Sequence, residues 1–117
     1  MTRAIKTHWH NALFNGLVLQ EILDHPLEDE TPTARLKEIG MMSVLYSMSQ
    51  AHQPLTLTNI SELLQLTRSG AKETVNLLVK RGLLTETIIK NSMGRGIARQ
   101  FEISKTLFEM LGAPDGD

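Results

Sequence analysis

Residues 55–84, LTLTNISELLQLTRSGAKETVNLLVKRGLL, constrain this chain more than any other stretch, because they carry start and stop signals for two short helices in succession. Thr58 or Asn59 can open the first helix by accepting a backbone N–H at its side-chain oxygen. Glu62 follows Asn59 by three residues in the manner of a capping box. Ile60, Leu63 and Leu64 then share one face. Thr67 caps a second helix that runs to Arg81, where Gly82 supplies the stop. At about 100° per residue, Ala71, Val75 and Leu78 of this helix fall in a narrow inward arc. Ser69, Glu73, Asn76 and Lys80 point the other way, with Lys72 at their flank. A thin apolar seam opposite a long polar face leaves one side for a partner.

That outward face is made of Arg, Lys, Asn, Glu and Ser, side chains that can contact phosphates and base edges. Two short helices joined by a turn of three or four residues have the spacing of a helix-turn-helix. The same pattern also suits a solvated face on an ordinary helical hairpin. Gly70, near the start of the second helix, leaves room for close backbone approach to a neighbour or a ligand. Charge distribution favours the nucleic-acid reading although the net charge is only −1. Residues 68–105 hold eight Lys or Arg against three Glu, whereas the segments on either side are acidic.

Residues 2 to about 24 read as one long helix. A stripe of Ile5, Trp9, Ala12, Gly16, Leu19 and Leu23 runs along it, and Phe14, Val18 and Ile22 make the far side apolar too. Such a helix has two things to bury against, its own core and, as expected here, a second copy of the chain. Ile5, Trp9, Phe14, Val18 and Ile22 are the candidate dimer contacts. An acidic linker with Pro26 and Pro32 follows, and Thr31 can cap the next helix, about residues 32–51. That helix is apolar nearly all round beyond its first turns (Leu36, Ile39, Met42, Val44, Leu45, Tyr46, Met48), as a helix at the centre of a core is. Met41, Met42 and Met48 read as core filler ahead of an adaptable pocket.

A brief strand is expected at residues 55–57, and two longer ones at 83–90 and 97–103 around a turn with two glycines. In the last strand Ile97, Arg99, Phe101 and Ile103 alternate with Ala98, Gln100 and Glu102. Arg95 sits between glycines at the tip of this hairpin, where a basic side chain can reach a phosphate or enter a minor groove. Ser104 can cap a last short helix, residues 105–111, and residues 112–117 read as a disordered tail.

With 117 residues the chain is expected to be a single folding unit. Residues 1–31 would form the dimerisation helix and linker, and 32–111 the binding domain. The absence of cysteine excludes disulfides and thiolate metal sites. His8, His10, His25 and His52 offer no pair at ligand spacing, so no metal and no cofactor is expected. No nucleophile elbow, phosphate loop or paired-carboxylate pattern points to an enzyme. No apolar run approaches a membrane span, and a soluble cytoplasmic protein is expected.

In order, these elements are mainly α with a small β-hairpin, and the sequence resembles a winged helix-turn-helix domain of the MarR (multiple antibiotic resistance regulator) family. The resemblance is carried over residues 36–104 by Leu57-Thr58, Thr67-Arg68-Ser69, Val75, Arg81-Gly82-Leu83 and the segment GRGIARQFEIS. It implies a homodimeric transcription factor, usually a repressor, with recognition helices in the major grooves and wings in the minor grooves of double-stranded DNA. By motif position Arg68, Ser69, Lys72, Glu73 and Asn76 would be recognition-helix contacts and Arg95 the wing contact, and Lys80 is expected to join Lys72 and Arg95 in attracting phosphates. Leu77 stands where the family places a polar residue, and the short helix after Ser104 leaves dimerisation mostly to residues 2–24. The resemblance also leaves room for a phenolic or similar effector between the dimer helix and the helix pair, which no residue identifies. Two other readings stay open. One is a winged-helix module that binds protein, and the other a DNA binder serving plasmid replication, transfer or partition.

Overall fold

The computed structural model describes the backbone of residues 2–90 and 97–110, and the side chains of 12–88 and 99–110. Helices α1 (Thr2–Asp24) and α2 (Pro32–Gln50) lead to a short strand β1 (Leu55–Thr56), then α3 (Leu57–Leu64) and α4 (Arg68–Lys80). Strands β2 (Leu84–Lys90) and β3 (Ile97–Ile103) follow, and α5 (Lys105–Met110) closes the described part. The three strands form one antiparallel sheet in the order β1-β3-β2. This is the winged helix-turn-helix that the sequence pattern implied, with β2 and β3 as the arms of the wing.

Local chemistry accounts for the helix starts. Thr31 in extended conformation caps α2, accepting from Ala34 N at 3.0 Å, and Pro32 occupies the first helical position, where a missing N–H costs nothing. The first helix of the pair is capped two or three positions earlier than expected. Thr56, extended because it pairs with Gln100 in the sheet, accepts from Asn59 N at 3.1 Å, so the strand itself delivers the cap. Asn59 turns backwards instead, its Nδ2 donating to the Pro54 carbonyl at 2.9 Å.

The core lies where α1, α2, α4 and the sheet meet. Phe14 stacks on Tyr46 at 4.1 Å between ring centroids, and Val18, Ile22, Met42 and Leu45 belong to the same buried cluster. Ala71, Val75 and Leu78 line it from α4 as the helical wheel predicted, joined by Thr74, and Leu84, Phe101 and Ile103 line it from the sheet. The three methionines of α2 are core residues.

One expectation about α1 is corrected. Phe14, Val18 and Ile22 are at most 1% exposed within the protomer's own core. Drawing them out for a dimer would forgo about 1.5–3 kcal/mol each. The solvent-facing side carries Ala12, Gly16, Leu19 and Leu23, with Leu19 and Leu23 43% and 56% exposed. The side chains of Ile5 and Trp9 lie outside the described residues. A second correction concerns α2, where Leu36 is 70% exposed and Glu38 is completely buried.

Candidate nucleic-acid interface

Helices α3 and α4 are joined by residues 65–67. Gln65 ends α3 in the left-handed conformation (φ 54°, ψ 38°), and Leu66 N bonds back to the Ser61 carbonyl at 3.0 Å, which closes the turn. Thr67 caps α4 by accepting from Gly70 N at 3.0 Å. A Cβ on Gly70 would stand 3.1 Å from that Thr67 hydroxyl oxygen, so this glycine makes room for the cap of its own helix. Arg68 Nη1 donates to Thr58 Oγ1 at 3.2 Å and ties the start of α4 to α3.

With Ala71, Thr74, Val75 and Leu78 held in the core, α4 turns Arg68, Ser69, Lys72, Glu73, Asn76 and Lys80 to solvent, and all six are exposed. Leu77 is half-buried at the flank of that face. It lines a groove with Lys80 on one side and, on the other, Asp29 and Thr31 of the α1–α2 connection and Ala34 of α2. The apolar residue that looked out of place in a reading helix therefore packs beside the protein's own loop.

The wing meets α4 at Asn76. Pairing Leu84 with Ile103, Glu86 with Phe101 and Ile88 with Arg99 puts these six side chains on one face of the hairpin. Near the core the face is apolar and buried. Further out it carries a fork-to-fork ion pair, with Arg99 Nε to Glu86 Oε2 at 2.5 Å and Nη2 to Glu86 Oε1 at 2.9 Å. The same Nη2 donates to Asn76 Oδ1 of α4 at 2.9 Å, and the Arg99 guanidinium lies 5.1 Å above the Phe101 ring. The hydrogen bonds from Arg99 hold the Glu86 carboxyl below its usual range. Arg95 lies outside the described residues.

A second cluster holds α4 from beneath. Arg81, the residue that caps the end of α4, is 3% exposed at its side chain and pairs with two carboxylates that are wholly buried, Glu30 and Glu38. Its Nε meets Glu38 Oε1 at 2.7 Å, Nη2 meets Glu30, and Nη1 donates to the His25 carbonyl at 2.8 Å. One guanidinium thus joins the end of α1, the connection to α2, and α2 itself to the exit of α4. Two carboxylates share one positive charge, and Glu38 Oε2 has no hydrogen-bond partner. Burial pushes the Glu38 carboxyl up to about 7, and the nearby Glu30 adds to the rise. Burial works against ionising Glu30 as well, but Glu38 and Arg81 together hold it down at about 2.

Two of the eight basic residues counted between 68 and 105 are therefore committed inside the protein. Arg81 is buried and Arg99 is paired, so the positive footprint is narrower than the sequence count implies. Neither role was read from the sequence. Glu38 did carry a signal, since it precedes Met41, Met42 and Leu45 at helical spacing and so holds a core position with a charge that needs a partner.

No family model matches the chain, and no curated protein does. A solved structure, that of the adhesin competence repressor AdcR from Streptococcus pyogenes, is similar to it at 21% identity and a TM-score of 0.43. The match covers 83% of this chain, which spans 63% of that one.

Proposed function

We propose that the protein is a sequence-specific double-stranded DNA-binding transcriptional regulator that represses by occupying promoter DNA as a homodimer. The observation that carries this reading is the division of α4 into two faces. One is sealed into the core through Ala71, Thr74, Val75 and Leu78, and the other presents Arg68, Ser69, Lys72, Glu73, Asn76 and Lys80 beside a two-stranded wing. An α-helix that is exposed along such a face, polar and free of bulky apolar groups, suits the major groove.

On this reading Lys72 and Lys80 supply salt-dependent attraction to phosphates, and Ser69, Glu73 and Asn76 read base edges. Arg68, already anchored to Thr58, serves either role. Arg95 at the wing tip is the expected minor-groove contact. Dimerisation uses the outward stripe of α1, Ala12, Gly16, Leu19 and Leu23, since exposed leucines in a row favour a partner surface. Residues 1–31 then supply the dimer helix and its linker, and 32–111 the DNA-binding part.

The test is a fluorescence-anisotropy titration of the protein with random duplex DNA at two salt concentrations, with its mass in solution measured in parallel. A dimer whose affinity falls steeply with salt supports the reading. A monomer that ignores DNA at low salt contradicts it and favours a protein-binding winged helix.

A further inference from the structure

We propose that Arg99 is a specificity-determining residue which, by fixing the side-chain amide of Asn76, makes the recognition helix select guanine over adenine at the base pair Asn76 faces. The inference rests on the DNA-binding reading above and adds to it what one position of the site recognises.

A guanidinium has five N–H donors and no acceptor, so the atom of Asn76 that meets Arg99 Nη2 at 2.9 Å is the carbonyl oxygen. The amide therefore has one orientation, with Oδ1 towards the wing and its NH2 group turned away from it. Arg99 is itself fixed, by the two-point pair with Glu86 and by the ring of Phe101 below its guanidinium. Glu86, Arg99 and Phe101 sit on one face of the hairpin, in register with each other, so the wing backbone sets where the guanidinium stands.

The consequence lies in what Asn76 can offer a base. An unconstrained asparagine reads adenine with two atoms, its carbonyl accepting from N6–H and its amide donating to N7. In this protein the carbonyl oxygen is held towards the wing, and the group the amide turns away from the wing is a pair of donors. Guanine presents two acceptors side by side there, N7 and O6, whereas adenine presents one acceptor next to a donor. An N6–H of adenine would meet the amide hydrogens, because the oxygen that could accept from it is held towards the wing. The contact between wing and helix thus acts as a filter on a base that the wing never touches. Arg99 has spent its charge on Glu86 and is a positioning residue, not a phosphate contact.

The experiment is selection of bound duplexes from a random library by the full chain and by three variants, with base frequencies compared position by position. Asn76→Ala identifies the position, because its preference is erased there. At that position the parent is expected to enrich guanine. Arg99→Met keeps an apolar stem over Phe101 and removes every donor, so the amide is released and adenine should gain about tenfold relative to guanine, near the low end of what a two-point base contact discriminates. Arg99→Lys, which still donates to Oδ1, should keep guanine ahead. Ratios between bases within one variant cancel any general loss of affinity or folding. Adenine enrichment by the parent at that position, an unchanged preference in Arg99→Met, or no position answering to Asn76→Ala would each overturn the proposal while DNA binding stands. A parent that enriches no sequence at all overturns it together with the DNA-binding reading.

Discussion

Replacing Glu38 by Gln should stabilise the protein at alkaline pH relative to acid pH, against the usual effect of removing a partner from an ion pair. Glu38 belongs to a buried cluster in which Arg81 provides one positive charge for two carboxylates, and its Oε2 has no partner. Its carboxyl is pushed from 4.5 up to about 7 by burial. A folded-state value above the unfolded one means that the folded protein binds the extra proton. That contribution is fully present below about pH 4.5 and is lost as pH rises through about 7. At 1.36 kcal/mol per unit, the whole loss is about 3 kcal/mol at most, and about 2 kcal/mol of it falls between pH 5 and pH 8. Glu30, held at about 2, works in the opposite sense, with its contribution complete above pH 4.5 and lost as pH falls through 2, so it stays constant over that window. Glutamine keeps an acceptor for Arg81 Nε and has nothing to titrate. Urea denaturation of parent and Glu38→Gln at pH 5, 6.5 and 8 should therefore show the variant gaining about 2 kcal/mol on the parent across the series. A difference that stays flat with pH, or that moves against the variant as pH rises, would mean that Glu38 takes up no extra proton on folding.

Two further changes probe the supports of α4. Arg81→Met leaves both carboxylates without a counter-charge and should cost about 3 kcal/mol at pH 8, read by the same denaturation, where a loss under 1 kcal/mol would mean the cluster does not hold the α4 exit. Thr67→Ala removes the cap that accepts from Gly70 N and should cost about 1 kcal/mol, with circular dichroism following the helix content. An unchanged midpoint there would show that the turn, not the cap, fixes where α4 begins.

Most element boundaries were legible because the chain marks them with residues whose backbone preferences are strong. Thr31 with Pro32, Thr67, and the glycine after Arg81 delimit helices through local chemistry alone, and β3 spans the alternating residues 97–103. The face of α1 that enters the core was not legible, since both faces are apolar. Tyr46, far along the chain, settles it by stacking on Phe14. The cap of α3 escaped notice because Thr56 is extended only through its pairing with β3. Charge was the least legible property of all. Arg81 finds Glu38 and Glu30 at separations of 43 and 51 residues, and Arg99 finds Asn76 at 23, distances over which no pattern in the sequence connects donor to acceptor. A count of basic residues therefore overstated the surface charge, while the row of exposed polar residues on α4, which depends only on helical periodicity, was read correctly.

Contact between the exposed face of α4 and DNA would show in the salt dependence of duplex affinity measured for two single-lysine variants. Lys72 lies on that face, whereas Lys37 is exposed on α2. Lys72→Ala should weaken binding to all duplexes and flatten the plot of log affinity against log salt by about one unit, and Lys37→Ala should leave the slope unchanged. Equal slopes in the parent and Lys72→Ala, or a loss confined to Lys37→Ala, would contradict the docking of this helix on DNA.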